Sequence, residues 1–323
     1  YSPTFGDAQI SFSRHGTALY RRGSRNGPRI VALVDSVGRT TPLLETPGQY
    51  GWPALSSDGQ RLAVSLVESG VTQLSVYTDL GKRPRRLWTV PGIDAGVWTR
   101  DGSHLVARGP NGIVWMPAHG GEPRTLIDNP QISVPWTFAR GDRQLAFAVM
   151  DSSTVLDLWL AAIERTADGL SARNPVPVLR TRAFETYPAI SRDGRWLAYT
   201  STASGVPTVY VRPLAVSGTG IPIAAGVRVP RWSRVGQRLF FTTIDHRLMV
   251  LEYSIEGGRF VPGTARQWTP IALADNGVLP SYDVGTDDRH VVALLPARST
   301  GTQATNHVTL LRGLHDAIRS KAQ

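Results

Sequence analysis

Short apolar runs of strand length alternate with small polar turns along most of this chain. In the stretch 187–200, the runs 187–190 and 196–200 flank the pair Asp193-Gly194. Glycine accepts a positive φ and aspartate hydrogen-bonds its own backbone, so this pair predicts a tight turn. Two apolar runs of strand length around such a turn predict a β-hairpin.

The same hairpin pattern recurs about seven times, with equivalent turn residues at 16, 59, 102, 142, 194, 236 and 288. Most repeats add a third and a fourth strand-length run. One of the two longer intervals contains a polar hairpin insertion at 164–175. The other contains the turn-like stretch 256–259 and a longer exit at 264–276. Four short strands recurring about every 40–45 residues are typical of a propeller blade. We therefore predict an all-β fold, a β-propeller of four-stranded blades, with seven blades favoured and six possible.

The repeat pattern favours one β-propeller domain over residues 1–323. Its predicted blades span approximately 8–47, 50–90, 94–128, 133–180, 185–225, 228–272 and 281–312. We expect the N-terminal segment 1–5 to add a strand to the last blade and close the ring, because an open interface would leave apolar faces wet. The amphipathic pattern of 313–323 predicts a short C-terminal helix.

The charge and composition of the chain limit which kinds of partner and structure we expect. The chain has a formal net charge of +10 and no cysteine, which excludes disulfides. The positive charge either serves solubility or attracts an anionic partner, such as an acidic protein or an envelope ligand. The basic run 82–86 lacks the interleaved aromatics of single-strand binders, so we do not expect nucleic acid. No apolar run approaches the ~18 residues of a membrane span. We expect a monomer.

The stretch 187–200, followed by the strand-like run 209–211, resembles the WD40-like (PD40) repeat of TolB-type propellers, and the resemblance covers nearly the whole chain. The stretch 31–63 is similar to the propeller found C-terminal to the kinase and membrane segment of bacterial transmembrane serine/threonine protein kinases. His15 and Val235 depart from the repeat, and so does the inverted pair Gly141-Asp142. The resemblance implies an extracytoplasmic sensor domain, periplasmic or at the cell surface, tethered through a parent chain.

Ligands of propellers bind on the axis, so we expect a mouth formed by the loops that lead into the innermost strands. The candidate ligand-binding residues of these loops are aromatic or charged: Tyr50, Trp52, Asp94, Trp136, Glu185, Tyr187, Arg228, Arg231, Tyr282 and Asp283. Rigid aromatics among charges suit a peptide or a glycan. In the alternative reading, the aromatics fill the funnel and the charges pair among themselves.

The sequence favours a non-catalytic module that recognises a protein, a peptide or an anionic envelope ligand. It contains no Gly-x-Ser-x-Gly elbow at a strand-to-helix turn and no phosphate-binding glycine-rich loop before a helix. We therefore predict no catalytic residue, no cofactor and no bound metal in this segment. The alternative is a propeller enzyme, a metal-dependent lyase or hydrolase acting on a sugar or peptide through Asp94, Glu185 and Asp283.

Overall fold

The computed structural model describes residues 10–12, 18–21, 27–139, 141–215, 218, 220–297 and 308–311. The chain divides into two compact units, Pro28–Pro296 and a second unit drawn from Tyr1–Gly27 and Ala297–Gln323. Every regular element in the described ranges is a β-strand, which confirms the predicted all-β class. The expected closing segment 1–5 and the helix predicted within 313–323 lie outside the described residues.

The strands are numbered in chain order. The first nine are β1 (Ile10–Phe12), β2 (Ala18–Arg21), β3 (Arg29–Asp35), β4 (Thr40–Leu55), β5 (Leu62–Glu68), β6 (Val71–Thr78), β7 (Arg85–Pro91), β8 (Asp94–Trp98) and β9 (His104–Gly109). The next nine are β10 (Gly112–Pro117), β11 (Arg124–Asp128), β12 (Ser133–Ala139), β13 (Gln144–Asp151), β14 (Val155–Thr166), β15 (Gly169–Leu179), β16 (Glu185–Ile190), β17 (Trp196–Ser201) and β18 (Thr208–Pro213). The last nine are β19 (Ile221–Ala225), β20 (Val227–Trp232), β21 (Arg238–Thr243), β22 (Arg247–Glu256), β23 (Arg259–Pro262), β24 (Arg266–Ala272), β25 (Tyr282–Val284), β26 (His290–Pro296) and β27 (Val308–Leu311).

Four-stranded antiparallel blades make up the unit Pro28–Pro296. Blade 1 contains β25, β26, β3 and the first half of β4, and the second half of β4 begins blade 2 with β5, β6 and β7. Blades 3, 4 and 5 are β8–β11, β12–β15 and β16–β19. Blade 6 contains β20, β21, β22 and β24, while β23 pairs with the far end of β22.

Each blade contacts the next, and blade 6 contacts blade 1 through β20 with β25 and through β24 with β3. The described pairings of this unit therefore make six blades, and the seven favoured from the sequence are not confirmed. Both long intervals are hairpin extensions, in β14–β15 and β22–β23. The main apolar core draws residues from all six blades, from inner strands as well as from later ones such as β6 and β14.

The strands in the ranges 8–47 and 281–312 do not pair into the first and last blades that the sequence predicts. β3 pairs with β26 along its whole length, whereas β2 pairs with β1 and β27 in the second unit. Val31, Ala32 and Val34 of β3 are fully buried, as is the run 291–294 of β26. Pairing two apolar strands keeps both of them from water, which explains why blade 1 draws on both ends of its unit.

The turn after the inner strand shows the hydrogen bonds that Asp-Gly predicts. Between β16 and β17, Asp193 Oδ1 accepts from Ser191 Oγ at 2.5 Å and from the backbone N–H of Arg195 at 3.1 Å. Gly194 has a φ of 71° and donates to Ser191 O. The aspartate is thus engaged with its own turn, as expected for turn chemistry rather than for calcium binding.

In two repeats an aspartate occupies the glycine position of this turn, at Asp142 (φ 67°) and Asp288 (φ 56°). Each of these carboxylates reaches the turn of the preceding blade. Asp142 accepts the backbone N–H of Arg100 at 2.8 Å, and Asp288 accepts the hydroxyl of Ser233. The aspartate at the glycine position thus adds a bond between blades, and in the turn 285–288 the local bond is kept as well, because Asp287 Oδ1 accepts the backbone N–H of Arg289 at 2.9 Å.

Candidate functional site

The inner strands of five blades carry a β-bulge at equivalent places. The register shifts lie between Gly51 and Ala54, Asp94 and Val97, Pro135 and Thr137, Thr186 and Ala189, and Arg228 and Arg231. Four bulges contain a residue at positive φ, namely Trp52 (47°), Ala95 (53°), Tyr187 (54°) and Val229 (57°). A bulge re-aims the side chain that it carries, so simple alternation does not predict where these residues point.

Three aromatic side chains from these bulges form a layer, defined here by Trp52, Trp136 and Tyr187. The ring centroids of Trp52 and Trp136 are 4.2 Å apart, and those of Trp136 and Tyr187 are 5.0 Å apart, edge to face. All three rings are buried. The Tyr187 hydroxyl donates to Val278 O at 2.6 Å, and burial raises the pKa of Tyr187 to about 12. The aromatic layer therefore blocks the axis near the loops that lead into the inner strands.

A cavity of about 440 Å³, called the axial cavity below, is lined on one side by Trp52 and Trp136. Its lining continues along the inner strands to the turns that follow them, at residues such as Ser57. Trp98 and Trp232 line its wall and donate to Ala54 O and Ala189 O of the preceding blades, at 3.0 and 2.9 Å. The cavity thus reaches the Asp-Gly turns, whereas the sequence predicts a mouth at the opposite ends of the inner strands.

Four arginines line the axial cavity: Arg100, Arg192, Arg231 and Arg234. Only Arg231 is among the residues that the sequence predicted. The other three follow the first Ser or Thr of the inner turn, in Thr99-Arg100, Ser191-Arg192 and Ser233-Arg234. Aligning the turns by this second position would have revealed the pattern. The Asp-Gly pair of the same turns predicts only turn geometry.

Two aspartates line the axial cavity, and both are already engaged. Asp283 lies 2.8 Å from Arg234 Nη2 and accepts the backbone N–H of Leu55 at 2.9 Å. Asp142 accepts the backbone N–H of Arg100 and lies 3.5 Å from Arg165. Trp52, Trp136, Arg231 and Asp283 are thus the predicted site residues that line the cavity.

Two further predicted residues lie elsewhere. Tyr50 is buried beside β5, and its hydroxyl donates to Thr46 O at 3.2 Å. Burial raises the pKa of that phenol. The Asp94 carboxylate accepts hydrogen bonds from both Nε and Nη2 of Arg108, the first of them at 2.6 Å. Neither residue lines the axial cavity, because each belongs to the far end of its inner strand.

Glu185 is a buried carboxyl close to a second acid. Thr181 Oγ1 donates to Glu185 Oε1 at 2.7 Å, while Oε2 has no hydrogen-bond partner among the described residues. Asp157 Oδ2 accepts from Thr154 at 2.7 Å, and Asp157 Oδ1 is likewise without a partner in that part of the chain. Burial raises the pKa of both carboxyls, and the Asp157 charge raises that of Glu185 further.

The remaining two predicted residues are Arg228 and Tyr282. Arg228 Nη2 lies 3.4 Å from His246 Nδ1, outside the lining of the axial cavity. Tyr282 is fully buried, its hydroxyl donates to Val229 O at 2.7 Å, and burial raises its pKa. The ten predicted residues therefore divide between the cavity, the aromatic layer and separate polar contacts.

The three acids of the enzyme alternative, Asp94, Glu185 and Asp283, have separate partners, as given above. Among the described residues, no group of three or more His, Asp or Glu side chains is placed to hold a metal ion. In the same ranges, no helix is long and apolar enough to cross a membrane.

The blade arrangement identifies the fold through its structural neighbours. A structure assigned as TolB of Agrobacterium tumefaciens superposes with a TM-score of 0.61 at 16% identity, covering 84% of this chain and 99% of that one. TolB of Acinetobacter baumannii gives 0.53 at 15% identity, covering 76% of this chain and 66% of that one. This chain has a TolB-like propeller fold.

A third solved structure is similar to this chain at about the same distance. The periplasmic gluconolactonase of Pseudomonas aeruginosa gives a TM-score of 0.52 at 12% identity, covering 88% of this chain and 99% of that one. Neither a comparison with protein-family models nor one with curated proteins gives a match. At such identities the TolB-like likeness concerns the fold alone, and the site must carry any statement of function.

Proposed function

We propose that this chain is a non-catalytic recognition propeller that binds a segment of a protein or peptide in the axial cavity. The observation that carries the proposal is the cavity itself. Its volume of about 440 Å³ lies within the roughly 300–1,000 Å³ of small-ligand pockets. Two tryptophans, Trp52 and Trp136, form one wall, and rigid aromatics are the residues that anchor ligands most strongly.

The position of the cavity supports recognition further. Its lining comes from all six blades, so one bound segment touches most of the propeller at once. The arginine side chains offer hydrogen-bond donors, and two members of the aromatic layer, Trp52 and Trp136, belong to the lining. A pocket formed by rigid strands needs little reordering to bind, which favours affinity.

We further propose that the propeller is the extracytoplasmic sensor domain of a bacterial transmembrane serine/threonine protein kinase, acting as a monomer. The similarity of the stretch 31–63 to kinase-linked propellers supports this placement. The coding sequence upstream of Tyr1 is then expected to encode a kinase domain followed by a membrane segment. A gene whose coding sequence starts within a few codons of Tyr1 would contradict the kinase assignment.

The recognition proposal is tested by obstructing the cavity. Ser57 is exposed and lines the axial cavity, and its hydroxyl makes no hydrogen bond among the described residues. Gln60, in the same turn, is exposed and does not line it. Peptides enriched on the wild-type chain from a phage-displayed random library should bind the Gln60→Trp variant but not the Ser57→Trp variant, as measured by calorimetry.

Equal binding by both tryptophan variants would place recognition outside the axial cavity and refute this use of it. A library that yields no peptide with saturable binding would count against peptide recognition altogether. Thermal midpoints of the two variants, each changed at an exposed turn position, provide the control for folding.

A further inference from the structure

The charges that line the axial cavity are unequal in number and in availability. Four arginines and two aspartates line it. Both carboxylates accept backbone N–H groups and lie close to arginines, so the protein itself already satisfies them. The excess is therefore cationic and directed at whatever occupies the cavity.

Arg231 is the least exposed of these cations. Its guanidinium lies over the Trp136 ring, 5.6 Å from the centroid, and its side chain is only 13% exposed. Within the described residues, Arg231 pairs with Asp283, but its Nε lies 4.0 Å from Asp283 Oδ1. Arg234 is closer, with its Nη2 2.8 Å from Asp283 Oδ2. A poorly paired and largely desolvated guanidinium gains strongly from an anion that reaches it.

Two further cations, Arg100 and Arg192, are exposed residues of the inner turns that line the same cavity. Within the described part of the chain neither side chain takes part in an ion pair. Arg192 Nη1 donates to Arg234 O at 2.8 Å, which leaves its other donors available. Arginine presents a planar fork of donors that matches a carboxylate or phosphate in two-point contact.

The residues that line the axial cavity beside the arginines indicate which class of anion it takes. Trp52, Trp136, Trp98 and Trp232 line the cavity beside the cations. An inorganic anion would leave this aromatic surface unused, whereas an acidic peptide places hydrocarbon and carboxylate side by side. We propose that the axial cavity takes an acidic peptide segment, with one carboxylate at Arg231 and others at Arg100 and Arg192. This inference rests on the proposed function and names the class of its ligand.

The test uses the full chain and two peptides of equal length, acetyl-Asp-Phe-Glu-Asp-amide and acetyl-Asn-Phe-Gln-Asn-amide, with inorganic phosphate as a third probe. Calorimetry should show saturable binding of the acidic peptide only. The double variant Arg100→Gln and Arg192→Gln should weaken it about tenfold for each arginine, as expected when a charge-assisted hydrogen bond is lost. Sodium chloride should weaken wild-type binding more steeply than that of the variant.

The matched control is the double variant Arg182→Gln and Arg259→Gln. Both residues are exposed, neither lines the cavity, and the change in net charge is the same. If this control loses as much affinity as the cavity variant, the effect is general attraction and the inference fails. Phosphate binding that excludes the acidic peptide also overturns it.

The experiment distinguishes failure of the acidic-peptide inference from failure of the proposed binding in the axial cavity. If the neutral peptide binds as well as the acidic one, and Ser57→Trp abolishes both, recognition in the cavity stands and the acidic class is wrong. If Ser57→Trp leaves binding of every peptide unchanged, the proposed use of the cavity fails as well. Unchanged thermal midpoints of the exposed arginine variants verify that folding is not at issue.

Discussion

The buried carboxyl of Glu185 makes a sharp prediction about stability. One oxygen of this buried side chain has no hydrogen-bond partner in the described residues, and burial, with the charge of the second acid Asp157, raises its pKa. The Glu185→Gln substitution keeps the shape and an acceptor for Thr181, and it removes the charge. We therefore expect the variant to be more stable than the wild type at neutral pH.

The size of the effect follows from the charge on the unpaired oxygen, because the uncharged amide of glutamine still occupies the same buried place. A buried polar atom without a partner costs about 1–3 kcal/mol and a charged one costs more, so we take the additional cost of the charge to be of the same order, about 1–3 kcal/mol. For a chain of 323 residues, an unfolding entropy of about 2.1 cal/mol/K per residue converts each kcal/mol into about 1.5 °C. The thermal midpoint of Glu185→Gln should thus rise by about 1.5–4.5 °C.

The gain must depend on pH in a fixed direction. The folded-state pKa of Glu185 is raised above its ordinary value of 4.5. Its contribution to stability is therefore fully present below pH 4.5 and is lost as the pH rises through the folded-state pKa. Glutamine has no proton to lose, so the difference between variant and wild type should be small at pH 4 and largest at pH 8.

Calorimetric melts of both proteins at pH 4, 6 and 8 measure this difference. Glu164→Gln is the matched control, because Glu164 is exposed and lies 2.6 Å from Arg173 at the surface. The control should shift the midpoint by less than about 1 °C. A Glu185→Gln gain that is equal at pH 4 and pH 8, or a loss at pH 8, would refute the reasoning.

Two other substitutions test the backbone. Asp288→Gly should lose only the bond to Ser233, and Asp288→Ala should cost about 1 kcal/mol more because alanine disfavours the φ of 56°. Equal unfolding free energies in urea would contradict this strain. Gly169→Ala would place its Cβ 1.9 Å from the Trp115 ring, so its midpoint should fall well below that of Gly205→Ala. Both glycines have positive φ, but Gly205 faces open space, and equal midpoints would show that Trp115 yields freely.

The sequence predicted the blades well because each blade repeats a local pattern. The pair Asp193-Gly194 and the apolar run after it are sufficient to form a hairpin, whatever lies around them. Which strand joins the edge of another hairpin is a long-range choice, however. β2 and β3 are both apolar runs of strand length, and nothing local says that β26 pairs with β3. The blade count therefore could not follow from the number of turns.

The candidate site was predicted only in part for a related reason. The sequence predicts that Trp52 and Tyr187 lie at a mouth, but the bulges give them positive φ, and both are buried against Trp136. A bulge is a property of paired strands and leaves little trace in one strand. The cavity arginines did leave a trace, since Arg100 and Arg192 occupy the same turn position, and a comparison of repeats could have found them.

The pairing of β3 with β26 has a mechanical consequence. Arg29 is the register partner of Pro296, so the chain enters and leaves the unit Pro28–Pro296 on adjacent strand ends. A force that pulls these two ends apart would break the hydrogen bonds between β3 and β26 one after another, starting at Arg29 and Pro296. The other blades bear no tension until those bonds have broken. Blade 1 is therefore the part of this unit that would yield first under such a force.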